Sequence, residues 1–404
     1  MKKKIIDCFF LFILLAPIFV TKYGIYNDYT GSTALTSSTN SYEFSKNILR
    51  PLPLSIFLSL LFFIYYFFKF FKKKFNIAVS IYFIVLAIIT LINILEYNFQ
   101  ILRILYLLQF ILTGTALYFG YYYKIDKKLS LNFIVFFILI FITNTLYIMF
   151  KAEKLYILDK NLFFTIYQNS QYVQSIIVLI SFIPILTNNK LKNIFKICIL
   201  ILTAVYALLS WNSSTFFIYI FGTILFVIKN KNIKFILFLS TILIFLCLFF
   251  LKNINNINIK SKLNPETLYK NKNITDLFNF KVPDNFVIRI KIYEELIKID
   301  WSLKYFLTGR ENLNFIQKYY SSHNYFIDIF IIFGIIPILL LLYSLLYIKN
   351  LKYYKNNYYN FFIPLFIFYL LVENLSKASL KQPYSGIISF YFIGLILAEF
   401  QKKN

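Results

Sequence analysis

Histidine occurs once in this chain, at position 323, and arginine only four times, at positions 50, 103, 289 and 310 of 404 residues. Cysteine is nearly as scarce: Cys8, Cys198 and Cys247 all fall inside apolar runs. They show neither metal-type spacing nor a disulfide framework, so they read as small core residues. Walker loops, dinucleotide fingerprints and nucleophile elbows are absent, which argues against nucleotide-driven chemistry. Acidic residues are few, 17 against 42 basic ones, and the first loop offers only Asp28 and Glu43, with no D-x-D arrangement. No metal and no cofactor are expected. No repeat of fixed period is visible, which leaves inverted-repeat transporter symmetry unsupported.

What the chain has in excess is apolar surface. It is 59% apolar and 21% aromatic. Runs of roughly 17 to 25 apolar residues recur along its length, each enough to cross about 30 Å of hydrocarbon as a helix. Helices satisfy their own backbone groups in lipid, whereas a membrane β-barrel would need short alternating segments. The expected fold class is therefore an all-α polytopic membrane protein with about 12 transmembrane helices. The spans are expected near 5–21, 52–69, 77–96, 100–122, 130–149, 173–187, 194–210, 215–229, 235–251, 323–348, 358–374 and 386–401.

The net charge of +25 does not imply nucleic acid. Lysines at 2–4, 69–74, 124–128, 190–196, 229–234, 349–355 and 402–403 fall between alternate spans, as positive-inside anchors do. A nucleic-acid footprint would gather on one soluble face. All seven groups can be cytoplasmic, placing both termini inside. Met1-Lys2-Lys3-Lys4 and the apolar stretch after it lack an A-x-A-like cleavage site, so an uncleaved first helix is expected. The outward segments are then 22–51, 150–172, the tight turn 211–214, the large region 252–322, and the Lys/Ser-rich loop 375–385. This gives three parts: a transmembrane bundle over 1–251, a large external (periplasmic) loop over 252–322, and transmembrane helices over 323–404. After Pro283-Asp284 the large loop turns amphipathic, with Phe286, Ile290, Tyr293 and Ile297 at helical spacing, as in a helix lying on the outer membrane surface.

His323 stands where that loop re-enters the membrane. Its ordinary pKa near 6.5 suits it to accept a proton at neutral pH. Asn324 and Asp328, one turn apart, could share a polar face with it. Arg289 and Arg310 carry planar forks of donors that suit phosphate oxygens better than an ammonium does. On a surface helix, Arg289 could equally pair with Glu294 or Glu295, or hold lipid headgroups. Gly309 before Arg310 permits a close backbone turn. Arg103 and Arg50 read as interfacial anchors.

The segment His323-Asn324, nine residues and Gly334 is similar to the H-N-x9-G signature of the bacterial O-antigen ligase and polymerase superfamily. Arg289, Trp301 and Leu307-Thr308-Gly309 resemble the family's run before that histidine. Gln168-Asn169-Ser170-Gln171 resembles a further family feature, and the similarity covers roughly residues 160–400. There are departures. Where members carry another small residue or Tyr shortly after the glycine, this chain has Ile335-Ile336-Pro337. Where many carry an arginine in a mid-chain external turn, it has Trp211-Asn212-Ser213-Ser214. Arg103 or Lys281 would have to substitute.

The resemblance implies a GT-C-like membrane glycosyltransferase in the bacterial cytoplasmic (inner) membrane, multi-pass, with its active site facing the periplasm. It implies a metal-independent, inverting transfer in lipopolysaccharide or surface polysaccharide biosynthesis. The donor would be a glycan on undecaprenyl pyrophosphate, the acceptor a hydroxyl of lipid A-core or a second glycan. His323 would take the acceptor proton and Arg289 and Arg310 would clamp the pyrophosphate. Asn324, Arg103 and Lys281 would assist binding, with membrane lipids around the bundle. A polymerase using the same donor, a flippase for lipid-linked sugars, and a non-catalytic scaffold are the competing readings.

Overall fold

Helix is the only regular structure among the described residues. The computed structural model describes residues 2–15, 54–70, 74–96, 110–123, 167–187, 191–209, 213–230, 284–298, 302–309, 324–349, 360–381 and 383–401, with single positions 108, 135, 139 and 322. In chain order the helices are α1 (Lys2–Leu15), α2 (Leu54–Phe70), α3 (Lys74–Glu96), α4 (Ala116–Tyr122), α5 (Tyr167–Thr187), α6 (Asn193–Leu209) and α7 (Ser213–Asn230). They continue with α8 (Asp284–Ile297), α9 (Leu303–Thr308), α10 (Tyr325–Phe333), α11 (Ile335–Lys349), α12 (Phe362–Ser376) and α13 (Pro383–Gln401). One-turn 3-10 segments, Thr113–Thr115 and Ser379–Lys381, precede α4 and α13. The all-α class is thus seen. Counting only the described residues, no helix is long and apolar enough to cross a membrane.

The apolar runs over 54–70, 74–96 and 193–209 form helices within a few residues of their expected bounds. The run expected at 235–251 lies outside the described residues, as does nearly all of 130–149. Three expectations need correction. The span expected over 323–348 is two helices, because Gly334 adopts φ +76 and closes α10 before α11 begins. The segment taken as loop up to 172 is helical from Tyr167, its polar residues forming the first turn of α5. The loop 375–385 contains the turn Ser379–Lys381, which is buried rather than solvated.

By internal contacts the chain divides into two units, residues 1–226 with 300–404, and residues 227–299. In the second unit, α8 is the expected helix, but its apolar residues divide. Ile292 and Leu296, one turn apart, are buried, whereas Ile290 and Ile297 are exposed, Ile297 by 81%.

In the first unit α13 packs against α4, α5 and both 3-10 segments, and α2 packs against α4. The α4–α13 crossing is close because a Cβ at Gly120 would strike the Tyr391 carbonyl and one at Gly394 the Leu117 carbonyl. Small residues at facing positions let helix backbones touch, an approach typical of helices that associate in lipid. Rings fill the neighbouring space: Phe119 lies 5.1 Å from Tyr391 and 4.9 Å from Phe62, centroid to centroid. α5 packs against α6 and α12, and Phe221 on α7 stacks on Phe368 of α12 at 4.4 Å.

The burial pattern is inverted on several helices. On α7, Phe217, Ile220, Ile224 and Ile228 form an exposed stripe at helical spacing, while Ser214, Thr215 and Thr223 are buried. On α2, Phe57, Leu61, Ile64 and Tyr65 are exposed and Ser59 is buried. Cys198 is exposed on α6, not a core residue. A continuous apolar face of this kind needs a partner other than water.

Candidate functional site

One group of buried polar residues of the first unit, Ser175, Ser214, Thr215, Ser322, Asn324, Asp328, Glu373, Asn374 and Lys381, links α5, α7, α10, α12 and the Ser379–Lys381 turn. Two ion pairs hold this layer together, and α12 links them.

The first pair is Asp328 on α10 with Lys381 on the Ser379–Lys381 turn. Their N–O distance is 2.7 Å, and the side chains are 2% and 1% exposed. Charge this deep demands full hydrogen bonding. Asp328 Oδ2 receives Lys381, while Oδ1 accepts from the Ser322 backbone N–H at 2.8 Å and from Ser322 Oγ at 2.6 Å. The Lys381 ammonium also lies 5.6 Å from the Phe110 ring centroid, a cation–π distance. Phe110 in turn stacks on Tyr325, whose hydroxyl lies 3.2 Å from that of Tyr82.

Asn324 completes this half. Its extended backbone (φ −133, ψ 118) places it as the N-cap of α10, and its Oδ1 accepts from the N–H groups of Phe326 and Ile327 at 3.0 and 3.2 Å. Its own N–H donates to Ser322 Oγ at 3.2 Å. The side chain expected to contact substrate is therefore 9% exposed, with its oxygen committed to the helix start.

The second pair is Glu373 and Lys377, one turn apart at the end of α12, with 3.3 Å between Nζ and Oε1. Lys377 also donates to Ser214 Oγ at the start of α7 at 2.7 Å. Ser175 on α5 donates to Glu373 Oε1, so the 3.0 Å contact between Ser175 and Thr215 has Thr215 as donor. Glu373 Oε2 is buried with no hydrogen-bond partner among the described residues.

Asn374 joins the two halves. Its Oδ1 accepts from the Leu380 N–H at 2.9 Å and from Ser379 Oγ at 3.3 Å, fixing the turn that presents Lys381. Between Lys377 and Ser379 stands Ala378, the one non-glycine residue with positive φ (53) among the described residues. This left-handed step costs a residue with a Cβ about 1–2 kcal/mol. It sits where the chain swings one lysine toward Ser214 and the next toward Asp328.

Two glycines singled out in the sequence meet beside this layer. Gly309 closes α9 with φ +84 and Gly334 closes α10 with φ +76. A Cβ on Gly309 would strike the Ile332 carbonyl, and one on Gly334 the Leu307 carbonyl. The Leu307-Thr308-Gly309 run and the glycine of H-N-x9-G are thus packed backbone to backbone. Both positions need glycine twice over, for the positive φ and for the space.

Among the expected site residues, Asn324 is described, and Arg289 lies on α8 in the second unit. His323, Arg310, Arg103, Lys281 and Trp301 lie outside the described residues. Lys377 donates to Ser214, at the start of α7, while the expected substitutes Arg103 and Lys281 lie outside the described residues. Lys377, Lys381 and Glu373 escaped the sequence reading, although Glu373 falls inside an expected span, where an ionisable residue is itself a functional signal. No cluster of three or more His, Cys, Asp or Glu able to hold a metal occurs among the described residues.

No family model, curated protein or solved structure matches the chain.

Proposed function

We propose that this chain is a polytopic membrane glycosyltransferase with about 12 spans. It would move a glycan from undecaprenyl pyrophosphate to a hydroxyl of lipid A-core or another glycan, outside the cytoplasmic membrane. The observation that carries the reading is the contact between Gly309 and Gly334. Two parts of one short motif, separated in sequence, are brought together by the fold at a spot where only glycine fits. The membrane setting is supported by the exposed Phe217–Ile228 stripe opposite the buried hydroxyls of α7. Lipid satisfies such a face, while the polar groups pair within the bundle.

In this reading the pyrophosphate is already a good leaving group, so the protein mainly positions two large substrates and neutralises developing charge. Arg289 and Arg310 hold the pyrophosphate oxygens, and His323 takes the acceptor proton as the new glycosidic bond forms. Asn324 acts through the helix start that follows His323. The apolar exterior leaves room for the polyprenyl tail alongside the bundle.

The test is transfer by the purified protein in detergent, from an undecaprenyl-pyrophosphate glycan to a lipid A-core acceptor, with and without a chelator. Product formed equally in both conditions, and lost in His323→Ala, is the expected result. Absence of transfer from this donor, or wild-type turnover by His323→Ala, overturns the reading. Chain elongation without any product on lipid A-core would assign the protein as the polymerase.

A further inference from the structure

We propose that the start of α1, with the ends of α2 and α4 beside it, is a docking surface for anionic phospholipid, whose headgroup meets Lys3 and Lys4. The inference goes beyond the proposed transfer and rests only on the membrane setting of that reading. Three contacts bring these helix ends to one level. The Tyr123 hydroxyl, just past α4, donates to Asp7 Oδ1 on α1 at 2.8 Å. Phe10 lies edge-on to Tyr123 at 4.6 Å and to Phe62 of α2 at 6.1 Å. Tyr66 of α2 stacks on Tyr122 of α4 at 4.2 Å. A tyrosine layer therefore closes this end of the bundle, and Tyr65 beside it is exposed. Tyrosine rings suit the headgroup level of a bilayer, where one end of the side chain is apolar and the other wet.

Lys3 and Lys4 stand about one turn, ~5 Å, before Asp7 along α1, and both are exposed. A lysine and an aspartate four apart on a solvated helix attract each other. Here Asp7 is buried and faces Tyr123 instead. Neither lysine has an ion-pair partner among the described residues. The chain thus presents two uncompensated positive charges just beyond the tyrosine layer. On the other side of them along the same helix, Ile5, Phe9 and Phe12 are exposed at the i, i+4, i+7 spacing of one face. Cations, then a tyrosine boundary, then an apolar face match a partner that is charged at one end and hydrocarbon at the other. An acidic peptide or a nucleic acid would use the charges and leave the apolar face uncovered.

The test titrates the purified full chain, in a neutral detergent, with phosphatidylglycerol or phosphatidylcholine and reads a dissociation constant for each. A lysine beside an anionic headgroup is expected to contribute about fivefold. Wild type should therefore prefer phosphatidylglycerol by roughly 25-fold. Lys3→Gln/Lys4→Gln should remove that preference, Lys4→Gln alone should reduce it about fivefold, and Lys3→Arg/Lys4→Arg should keep it. Equal affinity of wild type for the two lipids overturns the inference, as does an undiminished preference in the double glutamine variant. Inorganic phosphate that displaces the lipid at equal concentration overturns it too, because the apolar face would then add nothing. Transfer plays no part in the readout. A chain that prefers phosphatidylglycerol but transfers no glycan overturns the proposed function alone. A chain recovered in the soluble fraction without detergent removes the membrane setting, and both proposals with it.

Discussion

Gly309 and Gly334 press against each other's helix: each, if given a methyl group, would run into a backbone carbonyl of the other's segment, Ile332 for Gly309 and Leu307 for Gly334. Both also sit at positive φ. The contact joins α9 to the break between α10 and α11, and so fixes where the helix carrying Asn324 and Asp328 ends.

Substituting either glycine by alanine should therefore be costly. Left-handed backbone alone accounts for about 1–2 kcal/mol, and overpacking against carbonyls adds about 1–3 kcal/mol. Gly334→Ala and Gly309→Ala are each expected to lower the unfolding temperature clearly, measured in detergent. The double variant should not be additive, since both changes relax the same contact. Full additivity would show that the two glycines act independently.

Ala378 is the opposite case. It pays for its left-handed step without any clash that glycine would cause. Ala378→Gly is expected to stabilise the protein by about 0.5–1 kcal/mol, relief of strain exceeding the added freedom of the unfolded chain. Thermal unfolding checks this, and a lower unfolding temperature would contradict it.

The Asn324 amide oxygen caps α10 through two N–H groups. Asn324→Ala should lose about 1 kcal/mol, whereas Asn324→Ser should lose only a few tenths. If both variants unfold like wild type, the cap contributes nothing. If Asn324→Ser is stable but slow in transfer, the amide has a second role beyond the helix start.

The exposed stripe on α7 gives a prediction about the environment. Ile224→Lys places a charge in the middle of an apolar face, and such a charge near a bilayer centre costs roughly 2.5–3.5 kcal/mol on insertion scales. The variant should be depleted from carbonate-washed membranes relative to wild type. Thr223→Val, one residue away on the buried side, should remain fully integrated. Equal retention of Ile224→Lys would mean that this face does not meet lipid.

The helices were legible wherever an apolar run was long and unbroken, as over 54–70 and 193–209, because burial demand and helix period agree there. The break at Gly334 was not. One glycine inside an apolar run reads as a tolerated helical residue, and only the neighbouring Leu307 carbonyl explains it. Lys381 does not stand out within the Lys/Ser-rich loop 375–385, because its partner lies 53 positions away and nothing local announces the pair. Asp328 was noticed at helical spacing from Asn324, yet its side chain serves Ser322 and Lys381. Glu373 carried the plainer signal, an acid inside an expected span. The amphipathic helix over 284–297 was read correctly as a helix, but its buried residues are Ile292 and Leu296, since an apolar stripe does not say which of its flanks will find a partner.

Glu373 and Asn374 are consecutive, yet one engages α5 and, through Lys377, the start of α7, while the other grips the turn leading to α13. Twisting α12 about its own axis would tear both attachments at once, so this end of the helix behaves as a locked bolt.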